Sequence, residues 1–307
     1  MYLYGCLFYP TTVSLQPDVT TYSLNCRGRL LSLAVPQVMG ILNLTPDSFS
    51  DGGQYDTPSK AMAHVERMLT EGASIIDIGG FSSRPGADRV AEAEELRRIE
   101  GITRSILRAF PQALVSIDTY RPTVAQRMLD LGVHLINDIT GGRGLTEDPA
   151  ADSGLMALVA QHGDVPYCMM HMQGTPETMQ QNPQYQDLGG EIAQYFVGRI
   201  HHARSLGLKD VVIDPGFGFG KSLLHNHQLL HELPRLVQLG CPVLVGLSRK
   251  RMMYSLFDTT PGDVLDLATA LHLQALQAGV RMLRVHDVRE AVRVVQLYQY
   301  WQAHGIV

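Results

Sequence analysis

Eight places in this 307-residue chain carry side chains able to hold an anion, a metal ion or a polar heterocycle, and each closes a short apolar run: Asn43, Asp77, Asp118, Asn137 with Asp138, His171, Asp214, Ser248 with Arg249 and Lys250, and Arg284 with His286 and Asp287. A single Asp or Asn after an apolar run is ordinarily a turn or capping residue. Eight such groups on eight runs make that explanation poor for the set. Asp118, Asn137, Asp214 and Lys250 combine carboxylates, an amide and an ammonium, which suits a flat heterocycle bearing several N–H donors and acceptors. Arg284 and His286, with 248–250 beside them, suit a phosphate group. Asn43 and Asp51 offer hard oxygens fitted to Mg2+ shared with a polyphosphate. His64, His134, His162, His201, His202 and His231 fall away from these positions, where surface or packing roles are expected.

The run DPGFGFGK at 214–221 combines glycines with a lysine and invites comparison with a phosphate-binding loop. A Walker A loop needs G-x-x-x-x-G-K-[ST], and the step from Gly216 to Gly220 is one residue short. The expectation is therefore a glycine-bearing turn from which Phe217 or Phe219 projects into the site. Met169, Met170 and Met172 either pack a core or touch an aromatic ligand. No Ser-His-Asp order, His-x3-His pair or cysteine-rich metal spacing stands out, so neither a triad hydrolase nor a zinc enzyme is indicated.

The elements that must position these groups follow from periodicity. Apolar runs at 38–43, 74–80, 114–119, 135–139, 167–171, 211–215, 242–248 and 282–286 read as strands. Between and after them, amphipathic segments at 59–71, 91–109, 122–131, 153–162, 188–206, 226–239, 264–279 and 288–302 read as helices. Gly72, Gly132, Gly207, Gly240 and Gly279 stand where helices should close. Parallel neighbours need crossovers, and each crossover here is a helix, so eight units predict a parallel sheet closed into a (β/α)8 TIM barrel. An open doubly wound sheet is the second choice. In such a barrel the C-terminal strand ends and the loops after them form the reactive face, where the polar groups fall. Segment 23–33 alternates around Arg27–Gly28 and predicts a β-hairpin capping the N-terminal end of the barrel. Residues 1–22 are then an N-terminal extension and 23–307 one domain.

Composition narrows the function classes. Hydrophobic residues make up 45% and charged residues 18%, the balance of a globular protein with a large core. The formal net charge of −5, with Lys and Arg scattered, gives no general attraction to nucleic acid. No stretch approaches the ~20 apolar residues of a membrane span. Residues 1–10 are apolar and aromatic but lack a basic start and a cleavage site, so they are read as an extension and the protein as cytoplasmic. Cys6, Cys26, Cys168 and Cys241 lie far apart, which fits reduced thiols.

With these residues in view, the chain resembles the dihydropteroate synthases from about residue 23 to 294. The resemblance rests on MGILNLTPDSFSDGG at 39–53, GASIIDIGGFSSRPGA at 72–87, IDPGFGFGK at 213–221, LVGLSRK at 244–250 and LRVHDV at 283–288. It implies condensation of 6-hydroxymethyl-7,8-dihydropterin pyrophosphate with p-aminobenzoate to give 7,8-dihydropteroate and pyrophosphate, as a homodimer using Mg2+. By that resemblance Asn43 and Asp51 bind the metal, and Asn43, Arg84, Arg284 and His286 hold the pyrophosphate. Asp118, Asn137, Met170, Asp214, Phe219, Lys250 and Arg284 surround the pterin. Ser83, Arg84, Pro85, Phe219, Lys250 and Arg251 border the p-aminobenzoate, while Asp118, Lys250, Arg284, His286 and Asp51 serve the reaction itself.

Two positions depart from the family pattern: Phe81 stands where Glu is more common, and Arg251 where Ser commonly follows the lysine. The first is expected to change packing. The second either meets the p-aminobenzoate carboxylate or points into solvent. Two other readings share the barrel, a pterin-binding methyl-transfer domain and a catalytically silent pterin-binding homologue. The joint presence of SSRPG, SRK and RVHD argues against the first, and retention of Asn43, Asp51, Arg84, Lys250, Arg284 and His286 against the second.

Overall fold

The computed structural model describes residues 22–45, 57–82, 90–146, 148 and 150–306. Strands β1 (Ser23–Cys26) and β2 (Arg29–Ser32) pair antiparallel across Arg27–Gly28. Both turn residues have positive φ, 55° and 78°, the conformation that a two-residue type I′ hairpin turn requires. The predicted hairpin is present.

Eight parallel strands follow: β3 (Gln37–Asn43), β4 (Ile75–Gly79), β5 (Leu114–Asp118), β6 (Leu135–Asp138), β7 (Tyr167–Met170), β8 (Val211–Asp214), β9 (Leu244–Val245) and β10 (Met282–Val285). Their order is β8-β7-β6-β5-β4-β3-β10-β9, and a parallel bridge from Ile213 to Val243 joins the two ends of the sheet. The sheet is thus the expected barrel rather than an open one. The helices are α1 (Thr57–Thr70), α2 (Glu92–Ala109), α3 (Pro122–Leu131), α4 (Leu155–His162), α5 (Leu188–Ser205), α6 (Leu223–Val237), α7 (Arg251–Tyr254), α8 (Leu265–Gln277) and α9 (Val288–Ala303).

Each helix forms for local reasons. In α3 the buried residues Val124, Ala125, Met128 and Leu129 recur on one face, Pro122 opens the first turn, and Gly132 closes the helix at φ 100°. Two differences from the sequence reading have physical causes. Helix α6 starts at Leu223 rather than 226 because Ser222 and His225 cap each other's backbone N–H. Strand β9 is two residues long instead of seven; Pro242 lacks a donor, and the chain leaves the sheet at Gly246. The short α7 was not anticipated.

Strand alternation divides the interior into layers. Met39, Ile75, Leu114, Leu135, Cys168, Val212, Leu244 and Met282, one from each barrel strand, pack in a single cluster with Leu24, Cys26 and Leu33. The hairpin therefore stops the N-terminal end of the barrel with apolar side chains. Two and four residues further along each strand, side chains point inward again, now toward the other end. Asn43, Asp77, Asp118, Asn137, Met170, Asp214 and Arg284 all share this parity within their strands, so one apolar floor sets which strand residues face the open mouth. Asp138 and His171 have the opposite parity and turn toward the helical layer. Cys26, Cys168 and Cys241 are free and buried. None of the described helices is long and apolar enough to cross a membrane.

Candidate active site

The centre of the open end is an ionic cluster around Arg284. Its Nε donates to Asp77 Oδ2 at 2.6 Å and its Nη2 to Asp118 Oδ2 at 2.8 Å. Asp77 is fully buried and also accepts from Ser116 Oγ at 2.5 Å and Asn137 Nδ2 at 3.2 Å. One carboxylate thus orients the arginine and the amide that the sequence assigned to the site. Burial works against the Arg284 charge, but the carboxylates of Asp77 and Asp118 outweigh it and raise its pKa further. The guanidinium stays charged at any working pH.

Asp118 is placed differently. Burial pushes its carboxyl up to about 7, against the pull of Arg284, with the other carboxylates nearby adding to the rise. One of its oxygens, Oδ1, is buried and has no hydrogen-bond partner among the described residues. An unpaired buried acceptor costs about 1–3 kcal/mol, so this atom is set to receive a donor from a ligand. Asp214 is likewise raised by burial, opposed by Lys250 and by the N–H of Gly216, which donates to its Oδ1 at 2.8 Å.

The aromatic and thioether walls complete the mouth. Met170, Ile139, Met172 and Met179 form a buried cluster against which Phe219, Phe81, Tyr120 and Leu145 pack. Of the two phenylalanines in the 214–221 run, Phe219 faces this cluster, whereas Phe217 is buried in the core between sheet and helices. Lys250 Nζ sits 4.8 Å from the centre of the Phe219 ring and donates to the Phe217 carbonyl. Burial lowers its pKa to about 8, with Asp214 pulling it back up.

Asn43 ends β3 beside this cluster. A Cβ placed on Gly79 would stand 3.5 Å from Asn43 Oδ1 and 3.9 Å from Asp118 Oδ2, so the bare glycine leaves a small space between the amide and the carboxylate. His286 is half-buried one step beyond β10. Arg249 leaves the site and pairs with Asp287 at 2.7 Å. Arg251 opens α7 with an exposed side chain. Phe81 meets Tyr120 edge-on, with ring centres 5.2 Å apart. Asp51, Ser83, Arg84 and Pro85 lie outside the described residues.

Sequence reasoning gave no separate role to two buried charged residues. Asp77 was seen only as one polar residue among eight, and Lys221 only as part of a turn. Parity with Asn137 and Arg284 would have put Asp77 inside the barrel. A cavity of about 360 Å³ lined by Gln173, Gly174, Thr178, Met179, Gln181 and Pro183 adjoins the site through Met179. It holds no ionisable side chain, so the polar strand ends define the chemistry.

The sequence profile of the pterin binding enzyme family matches residues 39–286. A dihydropteroate synthase from Escherichia coli K12 is 41% identical over 278 residues, covering 90% of this chain and 95% of that protein. The Xanthomonas albilineans dihydropteroate synthase with 4-aminobenzoic acid superposes with a TM-score of 0.84 at 42% identity, covering 92% of this chain and 99% of that one. The same organism's enzyme in complex with 7,8-dihydropteroate gives 0.80 at 40% identity, with the same coverage. These matches span the barrel and every motif around its mouth, and the chain belongs to the pterin-binding enzyme family, among its dihydropteroate synthases.

Proposed function

We propose that this protein condenses 6-hydroxymethyl-7,8-dihydropterin pyrophosphate with p-aminobenzoate, releasing pyrophosphate and 7,8-dihydropteroate. The observation that carries the reading is the buried Asp118 Oδ1, which has no hydrogen-bond partner among the described residues and stands next to Asn137 in the strand register, at the same end of the barrel as Asp214 and Lys250. Donors on a pterin edge satisfy such acceptors, and Lys250 supplies the complementary donor. Met170 and Phe219 offer the apolar faces against which the flat ring packs. Purified protein given both substrates should form 7,8-dihydropteroate; a folded protein that forms none would reject the assignment.

The chemistry needs little covalent help from the protein. As the bond from the pterin methylene to the pyrophosphate oxygen breaks, the electron pair leaves with the pyrophosphate and the ring spreads the positive charge. Asp118, ionised and close to the ring, favours that charge electrostatically. Arg284 and His286 stabilise the departing anion, and the aniline nitrogen then attacks the methylene and loses a proton. Arg84 belongs to the same anion site by resemblance, and Ser83 and Pro85 to the arylamine site, while the exposed Arg251 side chain favours the solvent-facing alternative.

Asn43 fits Mg2+ as a neutral hard oxygen donor, because this ion keeps several waters and takes its remaining ligands from substrate phosphates and one or two protein groups. Asp51 would be the second protein ligand. Bound there, Mg2+ supplies charge neutralisation for the leaving pyrophosphate. Excess chelator should therefore depress turnover while leaving the affinity for a pterin without pyrophosphate unchanged. Full turnover in chelator would remove the metal from the account.

The reading also fixes a pH dependence. Pterin binding uses ionised Asp118 and Asp214, and both carboxyls are raised, Asp118 to about 7. Protonation competes with binding, so affinity for a pterin lacking pyrophosphate should weaken as pH falls through about 7. Calorimetry from pH 8 downward reads this directly; constant affinity to well below pH 6 would contradict the role of these carboxylates. A cytoplasmic homodimer is the state we assign to the working enzyme, from the family resemblance and the reduced cysteines.

A further inference from the structure

Lys221 is a buried ammonium that the reaction as described does not use. It is 2% exposed and forms no ion pair among the described residues. Its Nζ instead lies 3.0 Å from His171 Nδ1 and donates to the carbonyls of Gly216 and Phe219, each at 3.0 Å. Burying a cation without a carboxylate partner is costly. Burial lowers its pKa to about 7, with Asp214 pulling upward and Lys250 pushing down. The bonds do not depend on the charge, because a neutral amine still donates two hydrogens.

What those bonds hold is the 216–219 turn. Lys221 takes the Gly216 and Phe219 carbonyls, Lys250 takes that of Phe217, and Gln180 Nε2 takes that of Gly218 at 2.8 Å. Every carbonyl of the turn thus has a side-chain donor. Gly216, at φ 71°, lies so close to His171 that a Cβ would meet its carbonyl oxygen at 2.0 Å. The turn is pressed against β7 on one side and carries the Phe219 ring on the other. Lys221 supplies two of these four side-chain bonds, more than any other residue.

We propose that Lys221 is a positioning residue for the second substrate: by holding the Gly216 and Phe219 carbonyls it keeps the Phe219 ring where the arylamine packs. The proposal rests on the reading that Phe219 borders the p-aminobenzoate. Lys221→Met keeps the length and removes the donors. In the full-length protein it should raise the KM for p-aminobenzoate about tenfold, the scale of one lost aromatic contact. The kcat at saturating p-aminobenzoate should stay within about twofold, a change too small to reflect a lost contact, and the Kd for a pterin alone, which has Met170 and its polar contacts besides Phe219, should rise clearly less than the KM. Hydrogen exchange should accelerate in the 216–220 peptide and nowhere else, a readout independent of turnover. An unchanged KM overturns the proposal, as does a pterin Kd that rises as much as the KM or more, which would mean a purely structural lysine. If Lys221→Met does not fold, Lys221→Gln, whose single amide cannot reach both carbonyls, is judged by the same outcomes. Wild-type protein with no turnover would reject the functional reading, while exchange at 216–220 would still judge the grip.

Discussion

Asp77→Asn should lower stability by about 3–5 kcal/mol, the cost of breaking a buried ion pair from one side, and should lower kcat/KM at least about 100-fold by misplacing groups that must meet substrate. Asp77 touches no substrate in this account. It accepts from Arg284, Ser116 and Asn137 at once, and its side chain is fully buried. Asparagine can keep its oxygen where Arg284 Nε and Asn137 Nδ2 both meet Oδ2 and turn its NH2 toward Ser116 Oγ, which can accept, but it removes the buried negative charge that pairs with the Arg284 guanidinium. Arg284 would then lean on Asp118 alone, drawing in the carboxylate that the pterin needs. Denaturation and steady-state kinetics on the same preparation test both parts. A variant with wild-type stability and turnover would show that the cluster does not organise the site.

The second large effect falls on pterin recognition. Asp214→Asn should weaken binding of a pterin by about 2 kcal/mol, roughly 30-fold in Kd, because a charge-assisted acceptor is lost and an amide donor faces the donors of the ring. Asparagine is the better substitution than alanine here. Its oxygen can still accept from the Gly216 N–H, which Asp214 Oδ1 receives at 2.8 Å, so the turn below is left in place. Calorimetry on the folded variant decides it, and unchanged affinity would place the ring away from β8.

Much of this site can be read from the chain because strands have a period of two. Met39, Ile75, Leu114, Leu135, Cys168, Val212, Leu244 and Met282 form the inward apolar floor, and the groups two or four residues on must share the mouth. The hairpin turn was readable for a similar reason, since Arg27–Gly28 stands between alternating segments. The pairing of Arg284 with Asp77 was not readable in that way. It joins positions 207 residues apart and is made by barrel closure, not by local pattern. Lys221 was hidden by its motif, because a lysine after glycines suggests an anion, whereas this one points away from the mouth to a histidine and two carbonyls. The shortness of β9 was also missed, since an apolar run bounded by Pro242 reads as a strand whether or not its backbone finds a partner.

We propose that Asp118, Asn137, Asp214, Lys250 and Arg284 together couple pyrophosphate departure to attack by an arylamine. The most direct measurement follows pyrophosphate and pterin products together, with and without p-aminobenzoate. Pyrophosphate and 7,8-dihydropteroate should appear in equal amounts, and steady release should require the arylamine. Steady pyrophosphate release matched by free hydroxymethyl pterin, or no release with both substrates present, would contradict it.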